Sequence, residues 1–101
     1  MTVVEATKII LASIDEVNAA RPAADRIKPE VETVLFGPEG TLDSLGLVEL
    51  IVTIEERANR EFGVGVSLAS DQALSQARSP FHTVRSLSEF LSRLSQEGNG
   101  E

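Results

Sequence analysis

Few side chains in this sequence could carry out chemistry, and their scarcity narrows the choices. There is no cysteine and a single histidine, His82, which excludes a disulfide framework, a thiol nucleophile, a thiolate metal site and a histidine cluster. No G-x-S-x-G, H-E-x-x-H, P-loop or EF-hand calcium loop occurs. What remains is Thr41-Leu42-Asp43-Ser44-Leu45-Gly46-Leu47-Val48-Glu49-Leu50, an Asp-Ser pair ahead of an apolar-periodic run. In its simplest reading the pair is a helix cap, because both side chains accept bonds from first-turn amides. The position has a second capacity. A helix amino terminus carries free N–H groups and a partial positive charge, so a phosphate esterified to Ser44 would be favourably placed. Gly46 removes bulk beside that serine and leaves room for another protein's active site. Any thiol chemistry must come from an attached group. As a hydrolytic nucleophile Ser44 lacks a base, since His82 lies in a distant loop and nothing local forms an oxyanion hole.

The remaining elements have to position that pair. The chain has 101 residues, 42% apolar and 25% charged, the composition of one small domain. With four Phe and no Trp or Tyr the core must be aliphatic, and the apolar residues recur at helical spacing, which predicts an all-α fold. Thr2 with Glu5 three residues on is a capping box that opens a first helix, whose face is Val3, Ala6, Ile10, Ile14 and Val17. That helix stops before Arg21-Pro22. Residues 19–43 hold too many prolines and glycines for a long helix, so they form a long loop with Val34, Leu35, Phe36 and Leu42 as apolar anchors.

A second helix runs from Asp43 or Ser44 to Arg60. Leu47, Leu50, Ile51, Ile54 and Ala58 form its buried stripe, and Glu49, Thr53, Glu56, Arg57 and Arg60 cluster opposite. Leu45 falls on the polar side, as an exposed leucine or a partner contact. Gly63 and Gly65 provide the exit. A short third helix is expected from Ser70 to about Ala77, and a last one after Thr83 with Val84, Leu87, Phe90, Leu91 and Leu94 inward. Residues 1–94 are thus read as a single domain and 95–101 as a disordered polar tail.

The formal net charge is −7, and its location says more than its size. Residues 29–56 contain Glu30, Glu32, Glu39, Asp43, Glu49, Glu55 and Glu56 and no Lys or Arg, while acids and bases balance elsewhere. Such a segment is either a solvated acidic face or a docking surface for a basic partner. The charge argues against nucleic acid. No apolar run is long enough to span a bilayer and no secretory signal opens the chain, so a cytoplasmic location is expected.

Leu42-Asp43-Ser44-Leu45-Gly46-Leu47-Val48-Glu49-Leu50-Ile51 resembles the modification motif of the acyl carrier protein family, whose signature is Asp-Ser-Leu at the start of the second of four helices. The resemblance extends over nearly the whole domain. It implies a four-helix bundle of the acyl-carrier type, with three longer helices, one short helix and a long loop between helices one and two. It also implies that a magnesium-dependent phosphopantetheinyl transferase attaches 4′-phosphopantetheine from coenzyme A to Ser44, and that the arm's thiol carries an acyl, aminoacyl or polyketide group. Asp43 would flank the attachment point, and Leu45, Glu49, Val52, Glu55 and Glu56 would meet the transferase, an acyl-loading ligase or acyltransferase and downstream enzymes. The protein would be a non-catalytic carrier, monomeric and free of membrane. Ile51, Ile54, Ala58, Val64, Val66 and Leu68 are candidates to line a sequestered chain, or are simply core. Phe36-Gly37-Pro38-Glu39-Gly40, Arg57 with Arg60, and Ser79-Pro80-Phe81-His82 depart from the fatty-acid carriers and suggest a specialised one. The competing reading is a small acidic helical interaction module in which Asp43-Ser44 is only a cap.

Overall fold

A computed structural model describes residues 1–37, 40–63, 65, 68 and 81–99, with the side chains of Ser44 and of residues 97–99 outside the description. Helix α1 spans Val3–Asn18 and starts as its sequence predicts. The Glu5 N–H donates to Thr2 Oγ1 at 3.1 Å, and the Thr2 N–H donates to Glu5 Oε1 at 2.8 Å, so two donors that would lack helical partners are satisfied reciprocally. Its buried stripe is Ala6, Ile9, Ile10, Ser13, Ile14 and Val17. Val3, expected on that stripe, is 46% exposed. It has the right phase, but it is the first helical residue, where the capping box rather than packing holds the backbone.

The loop after α1 is drawn back by a two-point clamp. Asn18 Nδ2 donates to the Ile27 carbonyl and Asn18 Oδ1 accepts the Ile27 N–H, both at 2.8 Å, which places Ile27 in the core. A single 3-10 turn at Ala23–Asp25 lies between them. Further on, Leu35 and Leu42 are buried and Phe36 packs against the core half-buried, so three of the four expected anchors grip. Val34 is half-buried and forms an isolated antiparallel bridge with Thr83.

Helix α2, Ser44–Phe62, buries Leu47, Leu50, Ile51, Ile54 and Ala58 as expected. It ends at Gly63 with φ 64°, a left-handed conformation that glycine adopts without the Cβ penalty. Helix α3 spans Val84–Asn99. At its head the Ser86 N–H donates to Thr83 Oγ1 at 3.1 Å and the Thr83 N–H to Ser86 Oγ at 3.0 Å. The long loop finishes that cap, its Thr33 and Val31 carbonyls accepting the N–H groups of Val84 and Arg85. Val84, Leu87, Phe90 and Leu91 face inward, Leu94 is half-buried, and Phe81 meets Phe90 edge to face with ring centroids 6.2 Å apart.

The expected disordered tail from residue 95 is corrected here, because α3 continues to Asn99. Ser92 Oγ and Gln96 Nε2 both donate to the Met1 carbonyl, at 2.9 and 3.2 Å, and Ser95 is buried with its hydroxyl on the Ser92 carbonyl. Hydrogen bonds thus hold a stretch whose composition reads as solvated coil. Helix α1 packs against both α2 and α3 and is the centre of the fold. The architecture is all-helical, with three α-helices and no strand among the described residues. The short helix expected at residues 70–77 lies outside them.

Candidate functional site

The head of α2 is fixed by Asp43. Its carboxylate oxygen Oδ1 accepts the Gly46 N–H at 2.8 Å and its carbonyl accepts the Leu47 N–H at 2.9 Å. Asp43 itself is extended (φ −84°, ψ −177°), and Ser44 is the first helical residue. The cap expected from the Asp-Ser pair is therefore made by the aspartate. The Ser44 side chain lies outside the described part of the structure.

Next to this point the outer face of α2 is apolar. Leu45 is 69% exposed, and Val48 and Val52 are also largely open to solvent. Spaced at i, i+3 and i+7, the three side chains share one stripe. Glu49 and Glu56 are exposed on the same helix. Sequence reasoning had not assigned Val48, although its absence from the buried stripe and its place three residues after Leu45 were the signal. Between this stripe and the end of α1 runs an open groove of about 430 Å³, in which Val17, Ala20, Val48 and Val52 are the apolar lining and Glu16 and Glu49 the acidic one.

Glu55 belongs with the interior instead. It is half-buried, and its Oε2 accepts the Leu68 N–H at 2.5 Å, so this carboxylate ties the segment after α2 to the helix. Arg57 is half-buried and pairs at the surface with the exposed Glu16 at 2.7 Å and Glu61 at 3.3 Å. Of the residues considered for lining an acyl chain, Ile51, Ile54, Ala58 and Leu68 are buried in the common core, while Val64 and Val66 lie outside the described residues.

The room expected beside Gly46 is filled by the chain itself. A Cβ built on Gly46 would lie 2.5 Å from Arg21 Nη2, 3.1 Å from Leu42 Cδ2 and 3.2 Å from Asp43 Oδ1. Arg21 reaches this place from the turn after α1, with Nη1 donating to the Asp25 carbonyl at 3.2 Å. Its Nε is buried and, among the described residues, has no acceptor. A cleft of about 450 Å³ opens there between Arg21, Ala24, Asp25, Thr41 and Asp43.

His82 is exposed, and its backbone carbonyl accepts the Leu35 N–H at 2.7 Å. Among the described residues no group of three or more His, Cys, Asp or Glu is arranged to hold a metal ion, and no helix is long and apolar enough to cross a membrane. The arrangement at the head of α2 is suited to presentation: a capped helix start, a cation beside it, and an exposed apolar stripe edged by carboxylates. Compared with protein-family models, with curated proteins and with solved structures, the chain finds no match in any of the three.

Proposed function

We propose that this chain is an acyl carrier protein that displays a thioester-bound acyl, aminoacyl or polyketide group on a 4′-phosphopantetheine arm attached to Ser44. The observation that carries the reading is the junction at residues 43–45. Asp43 closes the first turn of α2 with both its carboxylate and its carbonyl, Ser44 follows as the first helical residue, and Leu45 next to it is 69% exposed. When bound, the arm supplies the thiol that the sequence lacks. The chain's own residues do three things. Asp43 holds the helix start in register, Leu45, Val48 and Val52 offer partners an apolar stripe, and Glu49 and Glu56 draw in Arg and Lys side chains and orient them. Partners in this reading are a phosphopantetheinyl transferase, an acyl-loading ligase or acyltransferase, and downstream acyl-handling enzymes. The reading includes a short helix within residues 70–77 to complete the four-helix carrier bundle, a cytoplasmic location and a monomeric state.

A second reading is an acidic helical interaction module with no prosthetic group, favoured by the fact that Asp43 is fully accounted for as a cap. Intact mass separates the two. After incubation with coenzyme A, magnesium and a broad-specificity phosphopantetheinyl transferase, a carrier gains one phosphopantetheine and Ser44→Ala gains none. An unchanged mass for the unsubstituted chain favours the module.

A further inference from the structure

We infer that the docking element of this chain's partners is a cationic amphipathic helix seated in the groove between α1 and α2, so that the last turn of α1 meets the partner as well as α2. The inference rests on the carrier reading for who those partners are, and it adds a wall that the sequence motif does not contain.

The groove offers apolar surface from both helices. Val17 and Ala20 form its α1 side and Val48 and Val52 its α2 side, around an open space of about 430 Å³. Val48 and Val52 are 53% and 44% exposed, and Leu45 continues the same stripe toward the head of α2. Two of the polar groups at its margin are already spent on neighbours. Thr53 Oγ1 donates to the Glu49 carbonyl at 2.8 Å, and Glu16 Oε1 takes Arg57 Nη2 at 2.7 Å. Three large apolar side chains left open on one stripe beside an apolar groove mark a surface that another molecule covers.

Charge and spacing say what covers it. Glu49 and Glu56 are exposed on α2 and, among the described residues, belong to no ion pair, while residues 29–56 hold no Lys or Arg. The cover must therefore bring the cations, and a second copy of this chain would bring the same carboxylates. Positions 49 and 56 lie about 10 Å apart along the helix axis, the separation of side chains i and i+7 on a second helix laid alongside. An extended strand spans that length in about three residues, and its side chains at the two ends point to opposite faces. A helix with an apolar stripe toward the groove and Lys or Arg on its flank meets both demands. Ala20 is exposed at the α1 lip, where its short side chain leaves room for such a helix.

The probe is a synthetic peptide of leucine and lysine with leucine at i, i+3, i+4 and i+7, compared with an isomer of the same composition whose leucines are dispersed. Each is titrated into the unmodified full chain, so that no arm takes part, and followed by ¹⁵N–¹H NMR. The amphipathic peptide should give saturable shifts at Val17 and Ala20 together with Val48 and Val52. Ala20→Glu, which adds attraction but fills the groove, should weaken binding about tenfold, and Ala20→Arg should weaken it further. Val4→Ala, at an exposed position near the start of α1, should leave the affinity unchanged. Shifts confined to α2 with Ala20→Glu neutral, equal binding of the two isomers, or no saturable binding each overturn the inference while leaving the carrier reading standing. Saturable binding at both helices in a chain that accepts no phosphopantetheine upholds the groove and overturns the carrier reading instead.

Discussion

The Glu55 carboxylate accepts the backbone N–H of Leu68 at 2.5 Å, across thirteen residues of chain. This one bond separates Glu55 from its neighbours on α2, because Glu49 and Glu56 are exposed and hold no such bond among the described residues. Leu68 is fully buried, so the bond fixes an apolar anchor as well as an amide.

Glu55→Ala should therefore lower the unfolding free energy by about 1–3 kcal/mol, the usual consequence of leaving a part-buried amide without its charged acceptor. Glu49→Gln and Glu56→Gln should each cost less than about 0.5 kcal/mol. Urea titration followed by far-ultraviolet circular dichroism reads all three, and equal losses would show that Glu55 is another surface acid. Partner binding should respond in the opposite order.

Leu45, Val48 and Val52 are open to solvent on one stripe of α2, so truncating them removes little packing. Leu45→Ala and Val48→Ala should change stability by less than about 0.5 kcal/mol. Both should reduce the kcat/KM of phosphopantetheinylation about tenfold, since truncating an apolar side chain that is buried against a partner costs on the order of 1–2 kcal/mol. A stability loss with unchanged transfer kinetics would place these side chains in the core.

Gly46 and Arg21 form a testable pair. At buried Gly46 an added methyl would press on Arg21 Nη2 at 2.5 Å and also crowd Leu42 Cδ2 and Asp43 Oδ1 at 3.1 and 3.2 Å. Gly46→Ala should therefore destabilise the chain, and should cost less in an Arg21→Ala background, where the closest of the three contacts is gone. A double-mutant cycle in urea measures the coupling, and a coupling near zero would mean that the guanidinium does not rest on Gly46 in solution.

How far the sequence announces this structure depends on the range of the interactions involved. The helix starts were legible because their signals are local: Thr2 with Glu5, Asp43 with Gly46, and Thr83 at the head of α3 all bond within three residues. The buried stripe of α2 was legible for the same reason, as a 3.6-residue period. Ile27 escaped because its burial depends on Asn18, nine residues earlier. The last turns of α3 escaped because Ser92 and Gln96 are held by the Met1 carbonyl at the other end of the chain. At the site, Ser44, Asp43 and Leu45 stood out from their order in the chain. Arg21 over Gly46 and the inward Glu55 are tertiary contacts that no spacing encodes.

The α1 cap makes a prediction about pH. The Glu5 carboxyl is held below its ordinary 4.5, chiefly by the Thr2 backbone N–H and further by the Thr2 hydroxyl. A depressed folded value means that the cap's contribution is present above the unfolded value and is lost as pH falls through the folded one. Carboxyl ¹³C titration should place the Glu5 midpoint under 4.5. Thr2→Pro, which fits the local φ of −78° but removes both donors, should raise it toward the ordinary value, while Thr2→Ser should keep it low. An identical midpoint in all three forms would contradict the reciprocal cap.

The central claim, that Ser44 is the attachment point of a phosphopantetheine arm, is tested most directly by mapping the modified residue. The chain is incubated with coenzyme A, magnesium and a broad-specificity transferase, digested, and sequenced by tandem mass spectrometry. The account predicts a single phosphopantetheine on the peptide containing Asp43-Ser44-Leu45, localised to Ser44. Attachment at any other serine, or no attachment to a folded chain under conditions that modify a known carrier, would contradict it.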